Sequence, residues 1–245
     1  GGRRVPAGEA AAAAPARAAA GAGGPPPAGG RLDPPERLVR AARGARRVAL
    51  AGSGGGDSTA LMVLYARWRE AAGTAPPATV LTVDHRLRPG SAGEAAAVVA
   101  AAARLGLPAE VLSVEAPRPA GAIQAWAREE RYRLLTLAAD RIGADVLMTA
   151  HTLEDQAETV LMRLGRGSGL VGLAAMRPAT RLGDLMLLRP LLGVRRGDLR
   201  ALLRDAGIGW IEDPSNADER YERARIRRLM VDLASAGLDA GRIAA

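Results

Sequence analysis

The sequence predicts an α/β fold: a doubly wound, mostly parallel sheet with helices on both faces, followed by a small helical extension. From about residue 46, short apolar segments alternate with longer helical segments, which is the order of a parallel sheet with helical crossovers. The apolar segments are nearly continuous, as expected for strands buried on both faces. Polar residues follow several of these segments directly, at the strand ends where ligands of such folds bind.

The elements follow from these runs in chain order. Apolar runs predict four main strands, at 46–51, 78–83, 109–114 and 145–149. Helical segments lie after each of them, at 58–70, 91–105, 121–142 and 154–164. After residue 165 the alternation changes, and a short strand at 185–188 precedes helices at 195–206 and 222–233.

Composition excludes several kinds of site. The chain has no cysteine, which rules out thiolate catalysis, cysteine-ligated zinc and disulfide bonds, and which fits a reducing compartment. The 34 basic residues are all arginine and outnumber 26 acidic residues, so the net charge of +8 favours polyanions such as RNA. No apolar run approaches the roughly 18 residues of a membrane span, so no membrane partner is expected.

The first candidate site is a glycine-rich loop between the first strand and the first helix. Glycines let the backbone turn tightly and bring its N–H groups close to an anion, and Ser58 and Thr59 can add hydroxyl donors. The helix start adds its positive dipole end, and Asp57 suits a ligand of Mg²⁺ or a brace for the loop. An ordinary helix N-cap of Asp or Ser would give a similar pattern. The predicted phosphate loop comprises Ser53, Gly54, Gly55, Gly56, Asp57 and Ser58.

The second candidate site follows the fourth strand. With a helical spacing of about 100° per residue, His151, Asp155 and Glu158 fall within about 60° of one another. The opposite arc is apolar and consists of Leu153, Ala157, Val160, Leu161 and Leu164. A solvated amphipathic helix shows the same pattern, but the position after a strand and beside a phosphate loop favours a functional site.

The long helix 121–142 is predicted to bury one apolar stripe, formed by Ile123, Trp126, Ala127, Leu134 and Leu137. Arg128 and Arg131 lie off this stripe. They are either a solvated flank or cations that neutralise charge on an activated phosphate.

Five segments carry a resemblance to a known family. The loop SGGGDS at 53–58 resembles the signature of the PP-loop ATP pyrophosphatases, which cleave ATP between its α and β phosphates. Residues 83–89 (VDHRLRP), 121–135, 151–169 (HTLEDQAETVLMRLGRGSG) and 211–216 (IEDPSN) are similar, in order, to further motifs of the tRNA(Ile)-lysidine synthases. The resemblance covers roughly residues 46–228. It implies a PP-loop ATP-binding domain at 35–180, with the remainder of the catalytic domain and the start of a helical region at 181–245.

The resemblance implies a two-step reaction with ATP and Mg²⁺. The wobble cytidine of a tRNA(Ile) with a CAU anticodon is adenylated at its C2 oxygen, and free L-lysine then displaces AMP. Asp57 and Asp155 are the candidate metal ligands, and which carboxylate instead serves the lysine amine stays open. The phosphate loop and His85 are the expected nucleotide contacts. The candidate catalytic residues are Asp57, Arg128, Arg131, His151, Asp155 and Glu158.

Arginines at 163–166 and at 223, 225, 227 and 228 are candidate contacts to the RNA backbone, with a solvated basic helix as the alternative. The resemblance implies a cytoplasmic enzyme and leaves a homodimer open. Two other functions also stay open: another adenylating PP-loop ligase, and a catalytically silent RNA-binding module. Among such ligases, a tRNA thiolase is disfavoured because the chain has no cysteine to carry sulfur.

Three features depart from the family pattern. Gly52 stands where an apolar β-branched residue is usual, which predicts looser packing beneath the loop. Glu154 replaces a usual aspartate and lengthens that acidic arm. The chain stops soon after residue 228, where family members continue into a helical tRNA-binding region, so we expect a fragment or short form with weakened tRNA recognition. Residues 1–34, rich in Ala, Gly and Pro, are predicted to be a disordered extension.

Overall fold

The computed structural model describes residues 34–169, 174–212 and 222–245. The predicted disordered extension lies outside these ranges except for Pro34, as do residues 213–216 of the last motif. Six strands are described, β1 Val48–Gly52, β2 Ala78–Asp84, β3 Ala109–Ser113, β4 Val146–Met148, β5 Ala179–Leu182 and β6 Leu185–Leu188. The described helices are α1 Glu36–Ala42, α2 Gly56–Ala72, α3 Ser91–Arg104, α4 Ile123–Arg141, α5 Leu153–Gly165, α6 Arg196–Asp205, α7 Glu222–Ser235 and α8 Ala240–Ala244.

The described strands form one sheet in the order β3-β2-β1-β4-β6-β5. β1 pairs in parallel with β2 and β4, and β4 pairs in parallel with β6, while β5 is antiparallel to β6 at the edge. The doubly wound, mostly parallel sheet is therefore confirmed. The chain runs outward from β1 to β3 and then returns to β4 on the other side of β1. This reversal opens a crevice between β1 and β4, the usual place for a ligand.

Both faces of the sheet are covered. β1 is buried along its whole length because its successive side chains point to opposite faces of the sheet, and each face has a core of its own. Val48 and Leu50 pack with helices α1, α2, α3 and α6, whereas Ala49 and Ala51 pack with α4. Since both faces are apolar, the sequence reads as a continuous run rather than an alternation.

Three described elements were missed in the sequence: α1, β5 and the carboxyl-terminal helix α8. α1 is a seven-residue helix after Pro35, and its Leu38 and Ala42 are fully buried in the core. β5 crosses the predicted boundary between 180 and 181, is mostly exposed, and joins β6 through a turn with Gly183 at φ 62°. Short elements such as these depend on a tertiary partner, so none of the three produced a clear periodic signal. The division of the chain at 180/181 stays a prediction.

The predicted apolar stripe of α4 is wrong in part. Its buried residues are Leu135, Ala138 and Ala139, and Leu137 is 57% exposed. Only the carboxyl-terminal half of the helix packs on the sheet, whereas its first turns lie over a cavity described below. Of the predicted stripe, Leu134 packs partly buried against the core on this face of the sheet, whereas Leu137 does not.

The predicted loose packing at Gly52 is also wrong. A Cβ atom at this position would lie 2.9 Å from both Val80 Cγ1 and Val98 Cγ1. Side chains of β2 and α3 therefore occupy the space that a larger residue would need. The glycine permits close packing of the strand end against α3.

We predict that Gly52→Ala destabilises the fold by about 1–3 kcal/mol, because the added methyl overpacks a filled site. The change in unfolding free energy can be measured by urea denaturation. Gly93→Ala is the matched control, since Gly93 lies in α3 and a Cβ atom there would have no atom of the described residues within 4 Å. That control should be neutral or stabilising by up to about 1 kcal/mol. Equal effects of the two substitutions would contradict the packing argument.

Candidate active site

The phosphate loop is braced from within by hydroxyl groups. Ser58 accepts a hydrogen bond from Ser53 N–H at 3.1 Å and donates one to the Gly55 carbonyl at 3.0 Å. The Thr59 hydroxyl donates to the Gly54 carbonyl at 3.4 Å. Both residues are buried, so their hydroxyl groups shape the loop in the ligand-free protein. An anion here would meet backbone N–H groups and the amino-terminal end of α2.

The glycines of the loop differ in their surroundings. Gly54 has φ 79°, a left-handed conformation that favours glycine. Gly55 is the N-cap of α2 with φ −68°, and the nearest atom to a Cβ there would be Ser53 Oγ at 3.7 Å. Gly55 is therefore open on its outer side, where a ligand can approach the backbone.

A cavity of about 740 Å³ adjoins the loop, a size usual for small-molecule sites. It lies over the end of β2, between the first turns of α3 and α4. Ser53, Asp84, His85 and Arg131 are among the residues that line it. Three of the predicted site residues, Ser53, His85 and Arg131, therefore meet in one cavity.

His85 lines this cavity and carries an unsatisfied polar atom. Its Nδ1 is buried and has no hydrogen-bond partner among the described residues. Burial, and then the nearby charge of Arg131, lower the pKa of His85 below its usual value, so the ring is neutral at pH 7. A neutral imidazole has one donor and one acceptor nitrogen, so a ligand in the cavity can meet His85 without the cost of a second cation beside Arg131.

Three carboxylates converge on one arginine at the crevice between β1 and β4. Arg196 Nε lies 3.1 Å from Asp57 Oδ2, and Arg196 Nη2 lies 3.2 Å from Asp155 Oδ1. Arg196 Nη1 lies 3.6 Å from Glu158 Oε1. The helices α2, α5 and α6 thus bring together Asp57, Asp155 and Glu158, as predicted, around a cation that the sequence did not single out.

The backbone around Arg196 and Asp155 is held by helix caps. Thr152 and Asp155 form a capping box at the start of α5, in which Thr152 N–H donates to Asp155 Oδ2 at 2.8 Å. Glu154 Oε2 accepts a hydrogen bond from Arg196 N–H at 2.9 Å and so caps α6. The longer arm of Glu154 therefore holds the backbone of the residue whose side chain binds the carboxylates.

Glu158 is fully buried, so a substrate in the crevice cannot reach it directly. Arg227 Nε of α7 donates to Glu158 Oε1 at 2.7 Å, and Arg223 Nε lies 3.9 Å from Glu158 Oε2. These two arginines were expected to contact an RNA backbone. Their guanidinium groups instead face a buried carboxylate, because a buried charge requires compensation.

The environments of Asp57 and Asp155 push their pKa values apart. Burial raises the pKa of Asp57, and the charge of Arg196 opposes this without cancelling it. Burial also acts upward on the pKa of Asp155, but Arg196 and the hydrogen bond from Thr152 N–H outweigh it and leave the pKa below normal. Asp155 therefore stays ionised, and Asp57 takes up a proton more readily.

His151 precedes α5 and is not part of its helical face, because the helix begins after Thr152. The acidic side of α5 is buried, whereas Leu164 of the predicted apolar arc is 57% exposed. Burial is the main cause that lowers the pKa of His151 to about 4, so its ring is neutral at pH 7. Its Nδ1 lies 3.0 Å from Thr149 Oγ1.

A second missed arginine lies at the end of β6. Arg189 is buried, and its Nη1 donates to the Arg177 carbonyl at 2.8 Å and to Thr180 Oγ1 at 3.0 Å. Its Nε has no hydrogen-bond partner among the described residues.

The predicted catalytic Arg128 does not line the cavity and lies with its Cζ 5.1 Å from the centre of the Tyr132 ring. With 34 arginines in the chain, no local pattern distinguished Arg189 or Arg196.

Asp57 and Asp155 fit a Mg²⁺ ion that is shared with phosphates. Within the described ranges, no group of three or more His, Cys, Asp or Glu side chains is arranged to hold a metal ion. Mg²⁺ in phosphoryl-transfer sites commonly uses only one or two carboxylates and completes its shell with water and phosphate oxygens. The two aspartates meet that requirement if Arg196 yields part of its contact with them.

A doubly wound sheet with a braced glycine-rich loop, an adjoining cavity and carboxylates at the switch point defines a nucleotide-binding α/β protein. Residues 35–234 match the family described as the PP-loop domain. Since this match covers most of the chain, the chain belongs to the PP-loop family. In the described part of the chain, no helix combines the length and apolarity needed to cross a membrane.

The chain is similar to curated tRNA(Ile)-lysidine synthases. It is 52% identical over 204 residues to the enzyme of Rhodopseudomonas palustris, a match covering 83% of this chain and 59% of that protein. It is 50% identical over 197 residues to the enzyme of Methylobacterium nodulans, covering 80% and 57%. The chain therefore spans less than two thirds of the length of these relatives.

The fold is also similar to a solved structure, the U34-tRNA thiolase NcsA from Methanococcus maripaludis with its [4Fe-4S] cluster. The TM-score is 0.68 at 16% identity, and the match covers 81% of this chain and 70% of that one. At this identity the likeness shows the fold alone.

We predict that Arg196→Met destabilises the protein by about 3 kcal/mol or more at neutral pH, because it leaves three neighbouring carboxylates without their shared cation. The loss should shrink as the pH is lowered and the carboxylates protonate. Arg200→Met on the same helix is the control, since its pair with Glu212 at 3.7 Å is exposed and is worth under about 1 kcal/mol. Unfolding by urea at several pH values measures both, and a pH-independent loss at Arg196 would refute the charge argument.

We predict a specific acid sensitivity from His151. Its pKa is about 4 when folded and 6.5 ordinarily, so below about pH 6.5 the unfolded chain binds a proton that the folded chain refuses. Its contribution to stability is therefore present above pH 6.5 and is lost as the pH falls toward 4. His151→Gln should remove this contribution to the pH dependence of the unfolding free energy, which is on the order of 3 kcal/mol at most. Parallel stability curves for the two proteins would contradict the assignment.

Proposed function

We propose that this chain carries the catalytic region of an ATP-dependent ligase that joins free L-lysine to the wobble cytidine of tRNA(Ile) with a CAU anticodon. The products are lysidine, AMP and pyrophosphate. The observation that carries the proposal is the position of the phosphate loop, between the cavity and the carboxylate cluster. The similarity to curated tRNA(Ile)-lysidine synthases supports the choice of substrates.

The geometry suits ATP bound across the loop. A nucleoside in the cavity over β2 would contact His85, and its phosphates would follow residues 53–58 toward the crevice. Gly55 leaves the backbone N–H groups accessible to these phosphates. Arg131 also lines the cavity, where it supplies a positive charge close to the bound nucleotide. Bound Mg²⁺, held chiefly by Asp155, would neutralise charge on the phosphates.

Two bond exchanges make up the proposed reaction. The cytidine C2 oxygen bonds to the α-phosphorus of ATP, and the bond to the departing pyrophosphate breaks. The ε-amine nitrogen of lysine then bonds to C2, and the C2–O bond breaks so that AMP leaves. Phosphoryl chemistry of this kind depends mainly on alignment and charge stabilisation. The base is presented from an anticodon loop, where unstacking costs less than in a duplex.

The carboxylates have different proposed tasks. The attacking amine must lose a proton, and Asp57 is suited to accept it because its pKa is raised and its side chain is partly exposed. Asp155 stays ionised and is the better ligand for a cation. Glu158 acts through Arg196, since it is buried beneath the site. His151 serves as a neutral hydrogen-bonding group, and Arg128 as a surrounding positive charge.

The cytoplasm, where ATP, lysine and tRNA occur together, is the proposed location. A homodimer remains a prediction from the sequence.

We predict that the chain binds ATP in the presence of Mg²⁺ and releases AMP only when lysine and the tRNA are both added. Isothermal titration calorimetry measures the first, and chromatography of the nucleotides measures the second. Asp57→Ala should lower AMP release roughly 100-fold or more. Asp140→Ala is the control, because Asp140 is exposed near the end of α4 and away from the loop. Lysine-independent AMP release, or release unchanged by Asp57→Ala, would refute the mechanism.

A further inference from the structure

The segment that follows α6 reaches the phosphate loop. We name residues 207–212 the latch segment. Gly207, with φ 63°, ends the helix, and Ile208 N–H donates to the Leu203 carbonyl at 2.9 Å. At the far end, Ile211 N–H donates to the Gly54 carbonyl at 2.8 Å. The latch segment is therefore tied to α6 on one side and to the loop backbone on the other.

Ile211 also fills the space beside Gly54. A Cβ atom at residue 54 would lie 2.6 Å from Ile211 Cδ1 and 3.2 Å from Val98 Cγ2. The same glycine has φ 79°, so both its conformation and its neighbours exclude a side chain. The loop thus rests on Ile211 at Gly54, while the next residue, Gly55, is left open to an approaching ligand.

Trp210 makes the equivalent contact at the start of α2. The indole ring lies 3.4–3.6 Å from the Cβ position of Gly56, and its Nε1 donates to Glu212 Oε1 at 3.2 Å. The flat ring therefore covers the first residue of the helix whose amino terminus faces the anion site. Two consecutive residues of the latch segment contact two glycines of the loop.

α6 connects this contact to the carboxylate cluster. The helix begins at Arg196, which binds Asp57 and Asp155, and it ends where the latch segment starts. Its apolar face, formed by Leu199, Leu202 and Leu203, is buried against the core. One packed helix therefore fixes both the cation at the crevice and the support behind the loop.

We propose that Trp210 and Ile211 are positioning residues that hold the phosphate loop in its nucleotide-binding conformation. This inference rests on the proposed binding of ATP. Consecutive glycines give a loop many accessible conformations, and ordering them at the moment of binding lowers affinity. When only a fraction of the protein has the competent conformation, the apparent Kd rises by the inverse of that fraction. The latch segment keeps that fraction high before the ligand arrives.

The test compares two isoleucines of the same segment. Ile211→Ala removes the contact with Gly54, whereas Ile208→Ala removes the same atoms from a side chain that packs on the core. We expect Ile211→Ala to raise the Kd for Mg²⁺-ATP about tenfold and Ile208→Ala to change it less than twofold. Trp210→Ala should behave like Ile211→Ala, whereas Trp210→Phe should retain affinity. Ile211→Val, which loses only the contacting Cδ1 atom, should give an affinity between those of the wild type and Ile211→Ala. Calorimetry on the full chain gives the affinities, and thermal unfolding gives the stability of each variant.

Hydrogen exchange without nucleotide provides a second measurement. Amides of residues 53–58 should exchange faster in Ile211→Ala than in Ile208→Ala, while amides of β1 stay protected in both. Affinity losses that simply follow the melting temperatures of both variants, with equal loop exchange, would overturn the proposal. If the wild-type chain binds no ATP, the proposed function fails, and the exchange of the loop amides alone still decides whether the latch segment orders the loop.

Discussion

The pairing of Arg196 with three carboxylates is the interaction on which the candidate active site depends. Asp57, Asp155 and Glu158 come from two helices that meet at the switch point of the sheet. Carboxylates that share one partner lie close together, and their negative charges repel strongly where water is excluded. A guanidinium group with several donors can satisfy all three, which a single-point cation such as an ammonium group does less well. The site therefore requires α6 to present one arginine in a fixed place.

That placement comes from apolar packing rather than from charge. α6 packs in the larger of the two cores through Leu199, Leu202 and Leu203, and Glu154 caps its first turn. The same helix leads into the latch segment behind the phosphate loop. Hydroxyl groups of α2 brace the loop from within, and Ile211 and Trp210 support it from outside. The glycines of the loop can thus be ordered by the hydroxyl groups of neighbouring residues and by the latch segment.

The helical extension is tied to the site by charge. Arg227 and Arg223 of α7 approach Glu158, which has no exposed surface. Burying a lone carboxylate costs several kcal/mol unless partners compensate it. The two arginines therefore have a structural task. RNA contact by the arginines of α7 stays a prediction, because helical periodicity alone does not tell which side of a basic helix meets a buried charge.

Periodicity, turn chemistry and short motifs are local properties, so the amino-acid sequence predicted the main strands and helices, the phosphate loop and the acidic residues after β4. It also placed the site at the carboxyl ends of the strands, since parallel topology leaves few alternatives. The folded structure was needed to show that Arg196 joins the carboxylates, that Glu158 is inaccessible and that Ile211 packs against Gly54. These contacts join residues distant in the chain, and their geometry depends on how the helices pack on the sheet.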